Sequence, residues 1–136
     1  MMLPVEKRSE LIAAALETRR YAYTPYSNYA VGAALLAESG QVYLGANIEN
    51  AVYSETICAE RSAVFGAASK GERKFTAIVV ATENGGSPCG SCRQVMSEFG
   101  LDTLVLMVDG DGEIVHESTV GELLPISFGP GDLAAS

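Results

Sequence analysis

The sequence has 136 residues, 48% of them hydrophobic, which is enough apolar material for one core, so we expect a single domain spanning 1–136. A formal net charge of -8, from 17 acidic and 9 basic residues, gives a surface that repels a phosphate backbone and disfavours a nucleic-acid partner. The longest apolar run, 30–37, is too short to span a bilayer, and the charged N-terminal segment is unlike a signal peptide, so we expect a cytoplasmic protein without a membrane partner.

The first half of the chain has the pattern of a helix followed by a hairpin. Apolar residues recur at helical spacing over 6–23, behind Pro4, a residue suited to a helix start. Residues 31–36 and 41–46 flank a Glu-Ser-Gly turn and are predicted to form two paired strands. The first helix is therefore predicted to cover a sheet that this hairpin begins.

The second half of the chain alternates helices and strands. Small residues form the apolar stripe of the next helix, for which Ser54 or Thr56 serves as the N-cap. The predicted helices are 54–70, 89–99 and 119–124, and the predicted strands are 77–81, 104–108 and 113–116. Hairpin and crossover connections together predict a mixed sheet of about five strands with helices on both faces, a three-layer α/β/α sandwich.

Three cysteines carry the clearest chemical signal. Cys89 and Cys92 are three residues apart, so their thiols lie on one face of a helical turn. Cys58 and Glu60 are close to a predicted helix start, where both side chains can project beyond the end of the helix. An odd number of cysteines leaves one unpaired in any disulfide scheme, so metal binding or redox chemistry is the better interpretation.

Zinc fits these residues. Thiolates are soft ligands that helix N-termini stabilise, and a tetrahedral zinc ion held by Cys58, Cys89 and Cys92 keeps one position open. Zinc with an open position lowers the pKa of a water molecule there from about 15.7 to about 7, which suits hydrolysis at neutral pH. Glu60 follows the first ligand in the chain but is not needed as a ligand, so it is placed to move protons.

Two other interpretations of the cysteines remain open. With His116 as a fourth ligand the site would be a closed, structural zinc site, although His116 falls on a predicted strand and no motif connects it with the cysteines. Redox chemistry by Cys89 and Cys92 would leave Cys58 and Glu60 without a role.

The segments Cys-Ala-Glu-Arg at 58–61 and Ser-Pro-Cys-Gly-Ser-Cys-Arg-Gln at 87–94 resemble the small, homotetrameric, three-cysteine cytidine deaminases. This resemblance implies a cytidine deaminase-like fold and hydrolytic deamination of cytidine, deoxycytidine or both in pyrimidine salvage. It also implies one Zn²⁺ per subunit and a homotetramer with shared active sites. Further matching segments are 25–27, 31–36, 47–50, 122–125 and 127–130.

The resemblance implies roles for single residues. Asn47 and Glu49 match a pair that binds the ribose hydroxyls and separates nucleoside deaminases from relatives acting on other cytosine compounds. Arg61 matches an arginine beside the zinc, where it offsets the negative charge of three thiolates. The other positions that the resemblance assigns to substrate binding are Tyr29 and Ala59, together with three that reach a neighbouring subunit's pocket, Ala51, Tyr53 and Phe128.

Two features depart from the family pattern. Tyr29 stands where the family usually has a phenylalanine against the pyrimidine, and the loop 82–87 is shorter than the pattern predicts. Either change can alter the substrate without altering the chemistry, so deamination of another cytosine compound such as blasticidin S is an alternative. Asn47 and Glu49 argue against it. A non-catalytic zinc protein is the third hypothesis, and it requires His116 as a ligand.

Overall fold

The computed structural model describes residues 3–134, which form one five-stranded sheet and its flanking helices. No helix within 3–134 has the length and apolar character needed to cross a membrane. The strands are β1 (Gly32–Ala37), β2 (Val42–Ala46), β3 (Phe75–Ala81), β4 (Leu104–Val108) and β5 (Ile114–Thr119). The helices are α1 (Val5–Arg19), α2 (Ala59–Ala68), α3 (Gly90–Ser97), α4 (Val120–Leu123) and α5 (Pro130–Ala134), with a 3₁₀ turn at Tyr53–Glu55.

The sheet is mixed, as the sequence predicts. Its strand order is β2-β1-β3-β4-β5, in which β3 and β4 are parallel and every other neighbouring pair is antiparallel. The parallel pair requires a crossover, and α3 supplies it. β3 lies at the centre, and 77–81 is buried along its whole length, which agrees with its β-branched apolar sequence.

Helices cover both faces of the sheet. Alternate residues of β1 point to opposite sides, so Ala34 and Leu36 pack in the core beneath α1, whereas Ala33 and Leu35 pack in the core beneath α2 and α3. Leu11 and Ala15 are the fully buried apolar residues of α1. The α2 and α3 side contains Ala63, Val64, Cys92 and Met96. This arrangement confirms the three-layer α/β/α prediction.

Two glycines let helices from both layers approach the sheet closely. A Cβ atom on Gly32 would collide with the backbone of Ala15 and Arg19 in α1. A Cβ atom on Gly45 would collide with the Ala59 carbonyl oxygen and lie 2.6 Å from the Ala63 nitrogen in α2. Because Gly45 lacks a side chain, the first turn of α2, which carries Glu60, packs directly on β2.

Two helix boundaries differ from the prediction. α1 ends at Arg19 rather than at residue 23, because the chain turns and Tyr23 pairs with Ile48. α2 begins at Ala59 rather than at residue 54, because Ile57 is also paired with Ile48 and is extended. Neither Ser54 nor Thr56 caps α2, and Cys58 occupies the N-cap position instead.

Candidate active site

The three cysteines lie where two helices begin. Cys58 and Cys89 are the N-cap residues of α2 and α3, and both have extended backbones, with φ/ψ of -77°/156° and -68°/166°. Cys92 lies in the first turn of α3 and is completely buried. The positive ends of the two helix dipoles therefore favour thiolates at this point.

The sulfur atoms are close enough to share one metal ion. The Sγ atoms of Cys58 and Cys89 are 4.0 Å apart, those of Cys89 and Cys92 are 3.5 Å apart, and all three lie within 4.8 Å of one another. A tetrahedral zinc ion with Zn–S bonds of about 2.3 Å separates its sulfur ligands by about 3.8 Å, so the donor set fits zinc. Within 3–134 no histidine or carboxylate joins this group. His116 is exposed on β5 opposite Met107, so the structure does not support a closed Cys₃His site.

Arg61 contacts the cluster directly. Its Nη2 atom donates to the Sγ atom of Cys58 at 3.2 Å. A hydrogen bond from Cys92, together with this contact from Arg61, lowers the pKa of the Cys58 thiol to about 5. Cys58 is therefore ready to bind a metal as a thiolate, because the thiolate and not the thiol is the ligand.

Glu60 is a buried carboxyl group beside the cysteines. Its residue is 5% exposed, in the first turn of α2. Burial raises the pKa of Glu60 to about 7. A carboxyl group with that pKa can both accept and return a proton near neutral pH, which is what a general acid and base requires.

Cys58, Cys89 and Glu60 line one cavity of about 200 Å³. Of the predicted substrate-binding residues, Tyr29, Asn47 and the fully buried Ala59 also line it. A metal held by the cysteines and the carboxyl of Glu60 would thus be within reach of the same small molecule. The arrangement can activate water next to a bound organic ring.

Asn47 and Glu49 are held in place by the segment 26–31. The side chain of Asn47 accepts a hydrogen bond from the Val31 backbone at 2.9 Å and donates to the Tyr29 carbonyl at 2.8 Å. The carboxylate of Glu49 accepts from the backbone of Tyr26 and Ser27 and from the Ser27 hydroxyl. The Ser27 hydroxyl and these backbone groups lower the pKa of Glu49, which keeps it ionised.

Tyr29 lines the cavity rather than entering the core. Its residue is 36% exposed, and its hydroxyl donates to the Oδ1 atom of Asn84 at 2.7 Å. Four other predicted substrate-binding residues, Glu49, Ala51, Tyr53 and Phe128, do not line the cavity of one chain. Ala51, Tyr53 and Phe128 are all exposed, Tyr53 and Phe128 by 73% and 58%.

Several cavity-lining residues were not among the predicted substrate-binding residues. Thr82, Gly86 and Ser87, in the loop between β3 and α3, form part of the wall, and Ser87 also accepts a hydrogen bond from Arg93 at 2.9 Å. Thr56 and Ile57 line the cavity just before Cys58. The one sequence signal for all five is that they lie within a few residues of the cysteine motifs.

Metal-binding thiols beside a cavity that a buried carboxyl group also lines, on a mixed α/β/α sandwich, are what a zinc-dependent hydrolase requires. The family model for the cytidine and deoxycytidylate deaminase zinc-binding region matches residues 5–108. The chain therefore belongs to the cytidine and deoxycytidylate deaminase family.

Similar proteins cover almost the whole chain. A cytidine deaminase of Sporosarcina psychrophila is 47% identical over 97% of this chain and 96% of its own length. One of Halalkalibacterium halodurans is 50% identical over 93% of this chain and 97% of its own. The crystal structure of a cytidine deaminase from Burkholderia pseudomallei, 44% identical, superposes with a TM-score of 0.84 and covers 88% of this chain and 98% of that one.

Proposed function

We propose that this chain is a zinc-dependent hydrolase that converts cytidine, 2′-deoxycytidine or both to the corresponding uridine and ammonia. The observation that carries this proposal is that Cys58, Cys89 and Glu60 line one cavity together with Asn47. The similar proteins named above are cytidine deaminases, which favours cytidine over blasticidin S and an enzyme over a non-catalytic zinc protein.

Cys58, Cys89 and Cys92 would hold the zinc ion, since their sulfur atoms have the spacing of a tetrahedral site. When bound, zinc supplies a Lewis acid that lowers the pKa of the attacking water. Arg61 offsets the negative charge of the thiolates through its contact with Cys58.

Glu60 is the proton carrier of this mechanism. Deamination adds the oxygen of water to C4 of the pyrimidine and breaks the bond from C4 to the amino nitrogen, so protons must move from water to N3 and to the departing amine. Glu60 accepts a proton from the water and passes it to N3. It then carries the second proton of the water to the amino nitrogen, which leaves as ammonia. Its pKa of about 7 suits both halves of this transfer.

Asn47 and Glu49 would bind the ribose with the hydrogen-bonding capacity they have left. Asn47 uses one of its two amide hydrogens and one lone pair on the 29–31 backbone. Glu49 accepts three hydrogen bonds from Tyr26 and Ser27, whereas an ionised carboxylate has about four acceptor positions. Each residue can therefore make one further bond to a sugar hydroxyl without losing the bonds that orient it.

We also propose that the active enzyme is a homotetramer with shared sites. The support is that Ala51, Tyr53 and Phe128 are exposed and outside the cavity of their own chain, so a neighbouring chain must be present for them to contact a substrate. Light scattering after size-exclusion chromatography is expected to give a molar mass of about 57 kDa, four times the 14.3 kDa of one chain. A monomer that is fully active would contradict shared sites.

The remaining expectations stay proposals of the same kind. We propose that 1–136 is one domain, in keeping with its single five-stranded sheet, and that it works in the cytoplasm, where three free thiols stay reduced. A nucleoside deaminase there would act in pyrimidine salvage.

The decisive experiment is a spectrophotometric assay of cytidine, 2′-deoxycytidine and blasticidin S, with and without a chelator, beside a metal analysis of the same sample. The expected result is loss of cytidine absorbance, about one zinc per chain, and no turnover after the metal is removed. Turnover of blasticidin S alone would show that blasticidin S, and not cytidine, is the substrate. Bound zinc without turnover of any of the three compounds would overturn the enzyme assignment.

A further inference from the structure

One hydrogen bond joins two walls of the cavity that are distant in the chain. The Tyr29 hydroxyl, on the segment that enters β1, donates to Asn84 in the loop 82–87 that leaves β3, with a separation of 2.7 Å. Tyr29 lines the cavity, and so do Thr82 and Gly86 of this loop. The side chain of Tyr29 thus connects these walls in addition to covering one of them.

The loop is built to present Asn84 to this hydroxyl. Asn84 pairs with Asp109 of the β4–β5 connection, and Thr82 accepts a hydrogen bond from the Gly86 nitrogen at 2.8 Å. The Thr82 hydroxyl also lies 3.4 Å from Asn84 Oδ1. A Cβ atom on Gly86 would lie 2.6 Å from the Tyr29 hydroxyl, so a side chain at this position would displace that hydroxyl.

The same loop leads into the metal site. Ser87 lines the cavity, and Cys89 follows two residues later at the N-cap of α3. In the proposed reaction C4 of the ring must lie at the metal, so the loop 82–87 borders the ring and not the sugar. By contrast, the backbone of Tyr29, rather than its hydroxyl, is bonded to Asn47 on the sugar side.

We propose that the Tyr29–Asn84 hydrogen bond is a specificity-determining contact. It fixes the distance between the two walls beside the cytosine ring and so excludes rings enlarged by a substituent. Breaking it lets the loop 82–87 move outward, which admits larger rings and leaves the sugar contacts in place. This inference rests on the proposed deaminase activity.

The test is a double-mutant cycle of Tyr29→Phe and Asn84→Ala, with kcat and KM measured for cytidine, 5-methylcytidine and 2′-deoxycytidine. Each single variant is expected to raise the ratio of kcat/KM for 5-methylcytidine to that for cytidine about threefold to tenfold, the worth of one hydrogen bond. The double variant should raise it no further than either single one, because all three lack the same bond. The ratio for 2′-deoxycytidine to cytidine should stay constant.

Hydrogen exchange gives a second readout that does not depend on turnover. Backbone amides of 82–87 are expected to exchange faster in both single variants than in the wild type. Tyr21→Phe is the matched control, since it removes an exposed tyrosine hydroxyl outside the cavity wall and should change neither readout.

The outcomes separate this inference from the activity on which it rests. If the wild type deaminates cytidine but the 5-methylcytidine ratio is unchanged in Tyr29→Phe, or the two effects add in the double variant, the inference is wrong and the activity stands. If the wild type does not deaminate cytidine, both are wrong. Tyr29→Phe keeps the ring, so it decides the matter even if Asn84→Ala fails to fold.

Discussion

The guanidinium of Arg61 donates from Nη2 to the Sγ atom of Cys58 at 3.2 Å, so a cation of α2 touches the metal-binding cluster through the N-cap of its own helix. Three thiolates and one Zn²⁺ together carry a net charge of -1. Arg61 would offset this net charge with its own positive charge when a metal is bound, without itself acting as a ligand.

Removing this charge should weaken metal binding. We expect Arg61→Gln to lower zinc affinity by about tenfold to a hundredfold, the usual loss when a partner of a metal ligand is removed. Competition with a chromophoric chelator measures the zinc Kd. Arg73→Gln is the matched control, because Arg73 is exposed and donates to the carbonyls of Ala68 and Glu72. Equal Kd values for both variants would contradict the role of Arg61.

Glu60→Gln should separate metal binding from turnover. The amide keeps the size of the side chain but cannot accept the proton of water, so we expect kcat to fall by about 10²–10⁴-fold with an unchanged zinc content. Steady-state kinetics and metal analysis on the same sample check this. Glu6→Gln, on the exposed first turn of α1, should leave kcat unchanged. Near-normal turnover of Glu60→Gln would remove Glu60 from the mechanism.

Gly45→Ala should destabilise the protein. The new methyl group collides with backbone atoms of Ala59 and Ala63, which cannot rotate away, so we expect the free energy of unfolding to fall by about 1–3 kcal/mol. Urea denaturation of the zinc-loaded protein measures it. Gly66→Ala is the control on α2, where a Cβ atom meets nothing within 4 Å and should stabilise the helix by up to about 1 kcal/mol. Equal effects of the two variants would show that α2 does not pack directly on β2.

The ion pair between Arg8 of α1 and Glu117 of β5 should give a pH-dependent contribution to stability. Two hydrogen bonds of 2.8 and 3.0 Å join the groups, and the bond from Arg8 lowers the pKa of Glu117. Because the folded pKa is the lower one, the stabilisation is complete above the ordinary carboxyl value of 4.5 and is lost as the pH falls through the folded value.

Glu117→Gln measures this contribution directly. We expect it to cost no more than about 1 kcal/mol of unfolding free energy at pH 7, since the pair is partly exposed, and to cost less as the pH approaches 3. Glu113→Gln, at an exposed residue that directly precedes β5, is the control. A cost that stays constant from pH 7 to pH 3 would show that the pair does not stabilise the fold.

Local patterns predicted most of the fold. The strand at Leu104–Val108 has the predicted bounds, because a short β-branched and apolar run between polar turns is typical of a buried strand. The predicted start of α2 at residue 54 was wrong, because Ile57 pairs with Ile48. That pairing is a contact between separate segments, which helical spacing does not reveal. β5 continues to Thr119 because it pairs with the whole of β4, and the sequence did not predict α5.

Sequence spacing predicted the cysteine cluster but could not predict the contact between Tyr29 and Asn84. Cys58 and Glu60 are neighbours in the chain, as are Cys89 and Cys92, so spacing alone brings their side chains to two helix starts. Tyr29 and Asn84 are 55 residues apart, and neither has a motif that points to the other. Only the sheet, which places the entry to β1 next to the exit of β3, brings them together.

Gly32 and Gly45 belong to neighbouring strands and face opposite layers, so α1 and α2 both approach the backbone of the sheet closely here. Backbone in direct contact with backbone leaves little empty volume to remove. Hydrostatic pressure, which acts on such volume, should therefore compress the rest of the molecule before this end of it. The first turn of α2 would then keep its position under pressure.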